Sequence, residues 1–505
     1  MELLRRRVRI EPAAAPRRRS PFEVAFVGHA PGRARLAALT PFARARLHEL
    51  GFHELADPKL RAVATDEVAD SARLHHVPLA LRSATEFHEL FPEALTVATR
   101  YASLLAGAIA WLPRAVEDFF RAGGEQLWVI VVPEPDTLGA TMSSQPFFAD
   151  PRAISPAEPT TWRGLAALLH LPAVGLVALP DLERLGVDAQ LEDIPEKRLA
   201  NPKPRFVPVG APPPDPIAGD EKRSKDEMAK AHAPAPLALS EWVAPALDFL
   251  ARWRPDVQFL CTLPIEGRSH GQLPGLATRG RDFLVQLRDA AGHDALPRDL
   301  ADLRDRRLAR LVPLFPFLRG PRFRMQSPAG LVAGAIAARA DADGPWRSIA
   351  AQPLSTDAVP WPPVAGSDVA DLRDEGIGVL LHERGAVRLD DERTAAVDDL
   401  YSSEVVRFVG WLHRELERFG LAFVFAPENE EVGVRLSLDQ FFSELFRRGA
   451  LTGATASDAF EIRPLPRREA TIGFEIEFQP SLPIDRLVLS FVNDQGRWLV
   501  GAAHG

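Results

Sequence analysis

Cysteine is almost missing from this chain: of 505 residues, only Cys261 is one. A disulfide needs two thiols, so an internal disulfide framework is excluded, and so is a multi-cysteine metal cluster. A reducing compartment during assembly is the simplest expectation. An excess of positive charge is missing too. Sixty Lys and Arg face 68 Asp and Glu, a formal charge of -8, so no overall positive field holds a nucleic-acid backbone. No clean apolar run reaches the roughly 18–20 residues of a membrane span. The best stretch, 164–180, is interrupted by His170, Pro172 and Pro180. There is no Walker loop, no GxGxxG and no CxxC, so the common phosphate-cradling and redox signatures are absent. No repeat of solenoid period is found.

What is there is ordinary folded-protein material: 46% hydrophobic and 25% charged residues. At roughly 150 residues per domain, the length predicts two to four domains. The first segment, MELLRRRVRIEPAAAPRRRS, carries seven arginines against two glutamates, without the apolar core of a signal peptide. It reads as a basic, extended arm. Val8 and Ile10 alternate with Arg7 and Arg9, the period of a strand. A lone strand of this length is not stable, so it must find a partner.

Beyond the arm the chain alternates between strand and helix signals. Residues 22–32, FEVAFVGHAPG, read as a strand closed by a Gly/Pro turn. Ser83 lies three residues before Glu86, the capping-box spacing, and predicts a helix to Phe91. Residues 112–121 predict a helix with Val116, Phe119 and Phe120 on one face, stopped by Gly123-Gly124, before the buried strand LWVIVV. Residues 195–236 hold ten prolines and the charged run DEKRSKDEMAK, and read as a surface insert. It separates two strand candidates, 174–180 and 257–264, the second preceded by a helix through Leu247 and Leu250. This alternation predicts an α/β layer.

The last third predicts a compact α+β unit. A helix from Ser403 to Phe419 is expected to stop at Gly420, with LAFVFAP following as a buried strand. Ser437 and Gln440 have capping-box spacing, and Leu438, Phe441, Phe442, Leu445 and Phe446 then share a helical face up to Gly449. Residues 460–464 form a short strand, 473–478 alternate Phe474, Ile476 and Phe478 with Glu475 and Glu477, and 486–492 form a terminal strand.

Several of these segments together resemble the contractile tail sheath family of phage tails and extracellular contractile injection systems. FEVAFVGHAPGR is similar to its opening strand and turn, and VPLALRSATEFHELFP to its strand leading into a Ser-x-x-Glu-Phe helix. LPRAVEDFFRAGGEQLWVIVV matches an Ala-Val-x-x-Phe-Phe-x-x-Gly-Gly signature. FPFLRGPRFRMQSPAGLVAGAIAARADADGPWRS resembles its Pro-Pro-Ser-Gly-x-Val-Ala-Gly segment. The run from Phe423 to Arg463 carries analogues at Phe425, Pro427 and Asn429 and an Arg-x-Gly-Ala-Leu-x-Gly-Ala-Thr motif at 447–455, and 473–491 resemble the closing strand pair. RLDDERTA stands where the family has a Trp-Gly-Ala-Arg-Thr loop.

The resemblance implies an α/β and α+β fold in five parts. These are an N-terminal arm at 1–19, an α/β region at 20–135, a central subtilisin-like domain at 136–370, an α+β domain at 371–484 and a C-terminal strand arm at 485–505. It implies a non-enzymatic subunit that polymerises helically around an inner tube and contracts, without a cofactor. Its arms would add strands to neighbouring copies: Arg7, Val8, Arg9 and Ile10 from one end, and Leu487, Val488, Leu489, Ser490 and Phe491 from the other. Glu428, Glu430 and Glu431 read as an exposed acidic loop, with contact to a basic inner-tube surface as the alternative. Implied partners are other copies or paralogues, the tube protein, and baseplate and cap proteins, with neither nucleic acid nor membrane insertion. Assembly would be cytoplasmic, ending in a phage-like particle. A diverged, non-contracting or baseplate-proximal paralogue is the alternative within the family.

A subtilisin-like hydrolase is the rival of another class. SPAGLVAGAIA resembles the helix after a subtilisin serine, but the register puts Gln326 at the nucleophile position. Ser327 is one residue off, about 100° of helix rotation. Ser269-His270-Gly271 resembles the histidine motif only superficially. His75-His76 point apart as adjacent residues, against a shared metal ion, and Asp390-Asp391 read as a solvated loop or helix start.

Overall fold

A computed structural model describes residues 22–57, 69–92, 110–133, 144–155, 157–184, 237–267, 274–292, 307–320, 325–396, 402–421, 423, 431–465, 472–482, 487–494 and 497–502. In chain order, strand β1 spans Glu23–Gly28 and helix α1 Pro41–Glu49. Then follow β2 Pro78–Leu81, α2 Ala84–Leu90, α3 Leu112–Arg121 and β3 Leu127–Val131. Next come β4 Val174–Ala178, the short turn α4 Pro180–Glu183, α5 Val243–Trp253 and β5 Gln258–Thr262. They are followed by α6 Thr278–Gly292, β6 Leu311–Phe315, β7 Phe317–Arg319, β8 Met325–Gln326 and α7 Ala329–Asp343. β9 Val359–Trp361, α8 Gly366–Asp374, β10 Gly378–Glu383 and β11 Ala386–Leu389 complete the first part.

Eight strands form one sheet in the order β11-β10-β6-β5-β4-β1-β3-β2. The six inner strands are parallel, and an antiparallel strand closes each side. Both faces are covered, which explains the near-continuous apolar runs in the sequence. Val24 and Phe26 of β1 face one core with α2, α3 and α7; Ala25 and Val27 face the other with α5 and α6. The sheet draws strands from both sides of residue 135 and from beyond residue 370, so the boundaries expected there do not divide this layer.

Helix α3 packs unusually close to α7, because residues 330 and 334 carry no side chain. A Cβ on Gly330 would lie 2.3 Å from the Ala115 carbonyl oxygen, and one on Gly334 2.2 Å from that of Phe119. Ser83 caps α2 as its spacing predicts, its hydroxyl accepting from Glu86 N at 3.2 Å.

The main elements of the last part are α9 Ser403–Leu421, α10 Glu431–Arg447, β12 Phe460–Pro464, β13 Gly473–Phe478, β14 Leu487–Asp494 and β15 Arg497–Ala502. They build a third core, from Phe408, Leu412, Leu438, Phe442, Ile476 and Phe491. Three expectations change here. Gly420 does not stop α9, which runs on through Leu421; its bare Cα lets Trp498 approach, where a Cβ would meet Trp498 Cβ at 2.3 Å. The strand expected from Leu421 therefore does not begin there: Phe423 lies in a turn, and 422 and 424–427 lie outside the described residues. Ser437 does not cap α10. The helix begins six residues earlier, and the Ser437 hydroxyl bonds back to the Gly433 carbonyl at 2.9 Å, one turn down.

Helix α9 ties the two parts together through buried charge. Arg407 Nη1 meets Glu392 Oε2 at 2.6 Å with both side chains buried. One turn pair further on, Arg414 Nη1 meets Asp256 Oδ2 at 3.0 Å. Burial alone pushes the Asp256 carboxyl up, but the guanidinium groups of Arg254 and then Arg414 more than offset this and hold it well below the usual range.

Candidate assembly interface

The C-terminal sheet has the order β12-β13-β14-β15, antiparallel throughout. Alternation gives it two unlike faces. Phe460, Ile462, Phe474, Ile476, Phe478, Phe491 and Trp498 are buried beneath α9 and α10. On the outer face Arg463 sits among three carboxylates: Glu461 at 2.5 Å, Glu477 at 3.3 Å and Glu475 at 3.7 Å. Val488 and Leu499 are exposed on the same side. Among the described residues, no strand pairs with the outer margin of β12 or of β15.

The expected arms meet different outcomes. Arg7, Val8, Arg9 and Ile10 lie outside the described residues. Leu487, Val488, Leu489, Ser490 and Phe491 lie in β14, which is an internal strand: Phe491 pairs with Phe474 on one side and Val500 on the other. In this single chain the segment is therefore part of its own sheet and not a projecting arm. It is not terminal either, because β15 follows and forms a hairpin with it. The apolar inner face of β14 explains this, since Leu489 and Phe491 join the core under α9.

Glu428 and Glu430 also lie outside the described residues. Glu431 is half-buried and opens α10, where the helix dipole favours an acid. Leu421, at the end of α9, and Val432 and Leu436, one turn apart on α10, are exposed, 72%, 78% and 58% respectively. The i, i+4 spacing of Val432 and Leu436 falls before the helix start that Ser437 and Gln440 predict, and only the observed start at Glu431 puts the two on one helical face.

The positions weighed for hydrolysis are built into packing. Gln326, at the end of β8, ties down helix α3: it accepts from Arg114 Nε at 3.1 Å and donates to Asp118 Oδ2 at 2.6 Å. Burial pushes Asp118 up to about 7 against the pull of Arg114 and Arg121. Ser327 is buried; its hydroxyl accepts from Ala329 N at 2.9 Å and bonds to Glu183. Glu183 also accepts from Thr262 N and Thr262 Oγ1, at 3.1 and 2.7 Å. Burial raises it to about 7 against those hydrogen bonds. Residues 269–271 lie outside the described residues.

His75 and His76 do not converge on one point. Their rings are 6.4 Å apart, and His76 Nδ1 accepts from Gly164 N at 2.9 Å. Burial, then the charges of His75 and Arg163, lower His76 to about 4. Asp390 and Asp391 pair separately, with Arg373 at 3.7 Å and Arg393 at 2.8 Å. Glu392 beside them, unremarked in the sequence, is the buried partner of Arg407.

No family model and no curated protein matches the chain. Among solved structures, a chain of the 6-fold symmetrised baseplate of the anti-feeding prophage (AFP) has the same overall fold. It is 14% identical, with 95% of this chain and 96% of that one covered at a TM-score of 0.50. A chain of the AFP helical sheath in the contracted state is 14% identical, covers 96% of this chain and 98% of its own, and has a TM-score of 0.49. One from the contracted PVC sheath complex of an extracellular contractile injection system is 11% identical, with 81% and 84% covered and a TM-score of 0.45.

Proposed function

We propose that this chain is a structural subunit of a contractile sheath, polymerising around an inner tube and contracting to drive it forward. The full-length fold likeness to a chain of the AFP baseplate carries the reading, joined to the sheath-like motifs of the sequence. Its chemistry is mechanical. A sheet whose outer margins have no strand beside them among the described residues offers a ladder of main-chain hydrogen bonds to another copy. Residues 5–10 of that copy add beside β12. Val8 and Ile10 then extend the buried row of Phe460 and Ile462. Arg7 and Arg9 reach the outer face that holds Glu461, Glu475 and Glu477. The hairpin β14–β15, closed in one chain here, exchanges between copies by making the same contacts in trans. Subunits joined in this way rotate as rigid bodies during contraction, and the energy comes from the assembled lattice.

The test is assembly seen by negative-stain microscopy. Full-length protein co-expressed with its tube protein forms long tubules. A variant without residues 1–19 stays folded and forms none; tubules of normal length from that variant overturn the arm's role. Charge reversal at Glu428, Glu430 and Glu431 leaves empty sheath-like tubules that no longer enclose a tube. Retained tube would show that this acidic stretch faces elsewhere. The AFP baseplate likeness also favours a second reading, a baseplate-proximal paralogue, and that protein forms rings of one layer and no tubules.

A further inference from the structure

The parallel sheet reverses its winding direction between β1 and β4. From β1 the chain passes to β3 on one side and then returns to β4 on the other. In doubly wound α/β folds this crevice, outside the carboxyl ends of the strands and facing a helix N-terminus, is where anionic ligands bind. Here a carboxylate of the chain already stands in it. Asp181 of α4 is fully buried. Its Oδ2 accepts from His29 N at 2.8 Å, just after β1, and its Oδ1 accepts from Trp111 N at 2.5 Å. The Leu112 N–H, the first of α3, donates to it as well. Trp111 brings no side-chain cap to α3, so Asp181 supplies one from 70 residues away.

Two further features fit the site to an oxyanion. Gly28 clears the space: a Cβ there would lie 2.3 Å from Asp181 Oδ2. Burial raises Asp181 to about 7, outweighing the His29, Trp111 and Leu112 N–H groups and the Arg184 guanidinium, which favour a carboxylate here, so the site holds the anion only above that pH. His29 itself is buried, with Nδ1 at 3.2 Å from the Val132 carbonyl, and burial, then Arg184, keeps its ring neutral by lowering it to about 4 against the pull of that carbonyl.

We infer that the crevice between β1 and β4 is a small-carboxylate site that the chain fills with its own Asp181, α4 acting as a tethered ligand that locks α3 onto the sheet. The inference rests on the local geometry and is independent of the sheath reading. It accounts for a buried carboxylate of the chain standing where this kind of fold usually holds a ligand. It also predicts that a free carboxylate of the same size takes the place when the side chain is removed.

The experiment is rescue of the full-length Asp181→Ala variant by formate. At about pH 8.5, above the raised range of the buried carboxyl, its melting temperature falls by several degrees in sodium chloride and is recovered, saturably, in sodium formate of equal ionic strength; neutral formamide gives no recovery. Wild type responds equally to both salts. Adding Gly28→Ala places a methyl group where the anion binds, and the recovery is lost. If D181A does not stay folded in chloride, the same comparison is made on refolding yield from urea, where formate raises the yield several-fold. Equal behaviour of D181A in formate and chloride overturns the inference, as does a rescue that survives Gly28→Ala.

Discussion

The two sheets of this protein treat their margins in opposite ways. In the eight-stranded sheet, β11 is one edge, and the chain itself covers it: Leu354 N donates to the Val387 carbonyl and Ala351 N to that of Leu389. The other edge, β2, is buried along its whole length. In the four-stranded sheet, the outer margins of β12 and β15 have no strand beside them among the described residues, and Val488 and Leu499 stand exposed. An uncovered edge is a hazard in a monomer and a joint in a polymer. The first sheet belongs to a finished block, and the second, on the proposed function, is the connector between copies.

That contrast is broken hardest at α9, which holds the block and the connector together. Arg407→Met leaves Glu392 buried without its cation and lowers unfolding stability by about 3–5 kcal/mol, measured by urea denaturation. Arg407→Met with Glu392→Gln recovers part of it. A loss no larger than that of a surface substitution would mean that the two parts are not coupled through this pair.

The next effect belongs to the block alone. Glu183 is raised by burial to about 7, whereas in the unfolded chain it titrates near the ordinary value of about 4. The folded form holds its proton more tightly, so this contribution to stability is full below about pH 4 and drains away as the pH rises through about 7. Glu183→Gln retains an acceptor for Thr262 N and removes the titration. Its melting temperature should therefore fall less steeply than wild type between those limits, with Asp181 and Asp118 leaving a residual slope. An unchanged slope would show that Glu183 is ionised in the fold throughout.

The smallest effect on the monomer is expected at the connector's outer face. Val488→Asp and Leu499→Asp change stability by about 0.5 kcal/mol or less, as exposed positions do, yet they abolish tubules. Normal tubules from both variants would remove this face from the assembly surface.

Local signals were legible where one element contained them whole. Ser83 and Glu86 set the start of α2, and the alternation of Phe474, Ile476 and Phe478 set β13 with its inner face. Gly420 and Ser437 misled, because each has a local meaning that a distant neighbour overrides. Gly420 is small for Trp498, 78 residues on, and Ser437 bonds back within a helix already under way. The acidic stretch at 428–431 and the basic stretch at 5–10 are readings of the sequence that fall almost wholly outside the described residues, whereas the exposure of Leu421, Val432 and Leu436 is not legible there. Exposure depends on what packs against a helix, and its own periodicity does not report that.

Composition and periodicity alone determined that this chain folds into layered α/β and α+β parts without disulfides, since apolar spacing reports which face of an element avoids water. Only the tertiary structure decided that strands from residues 23 to 389 share one sheet, that β14 closes within its own chain, and that Asp181 caps a helix 70 residues earlier. These are contacts between distant segments, and their free energy comes from burial and hydrogen bonds that exist only once the chain has brought both partners together.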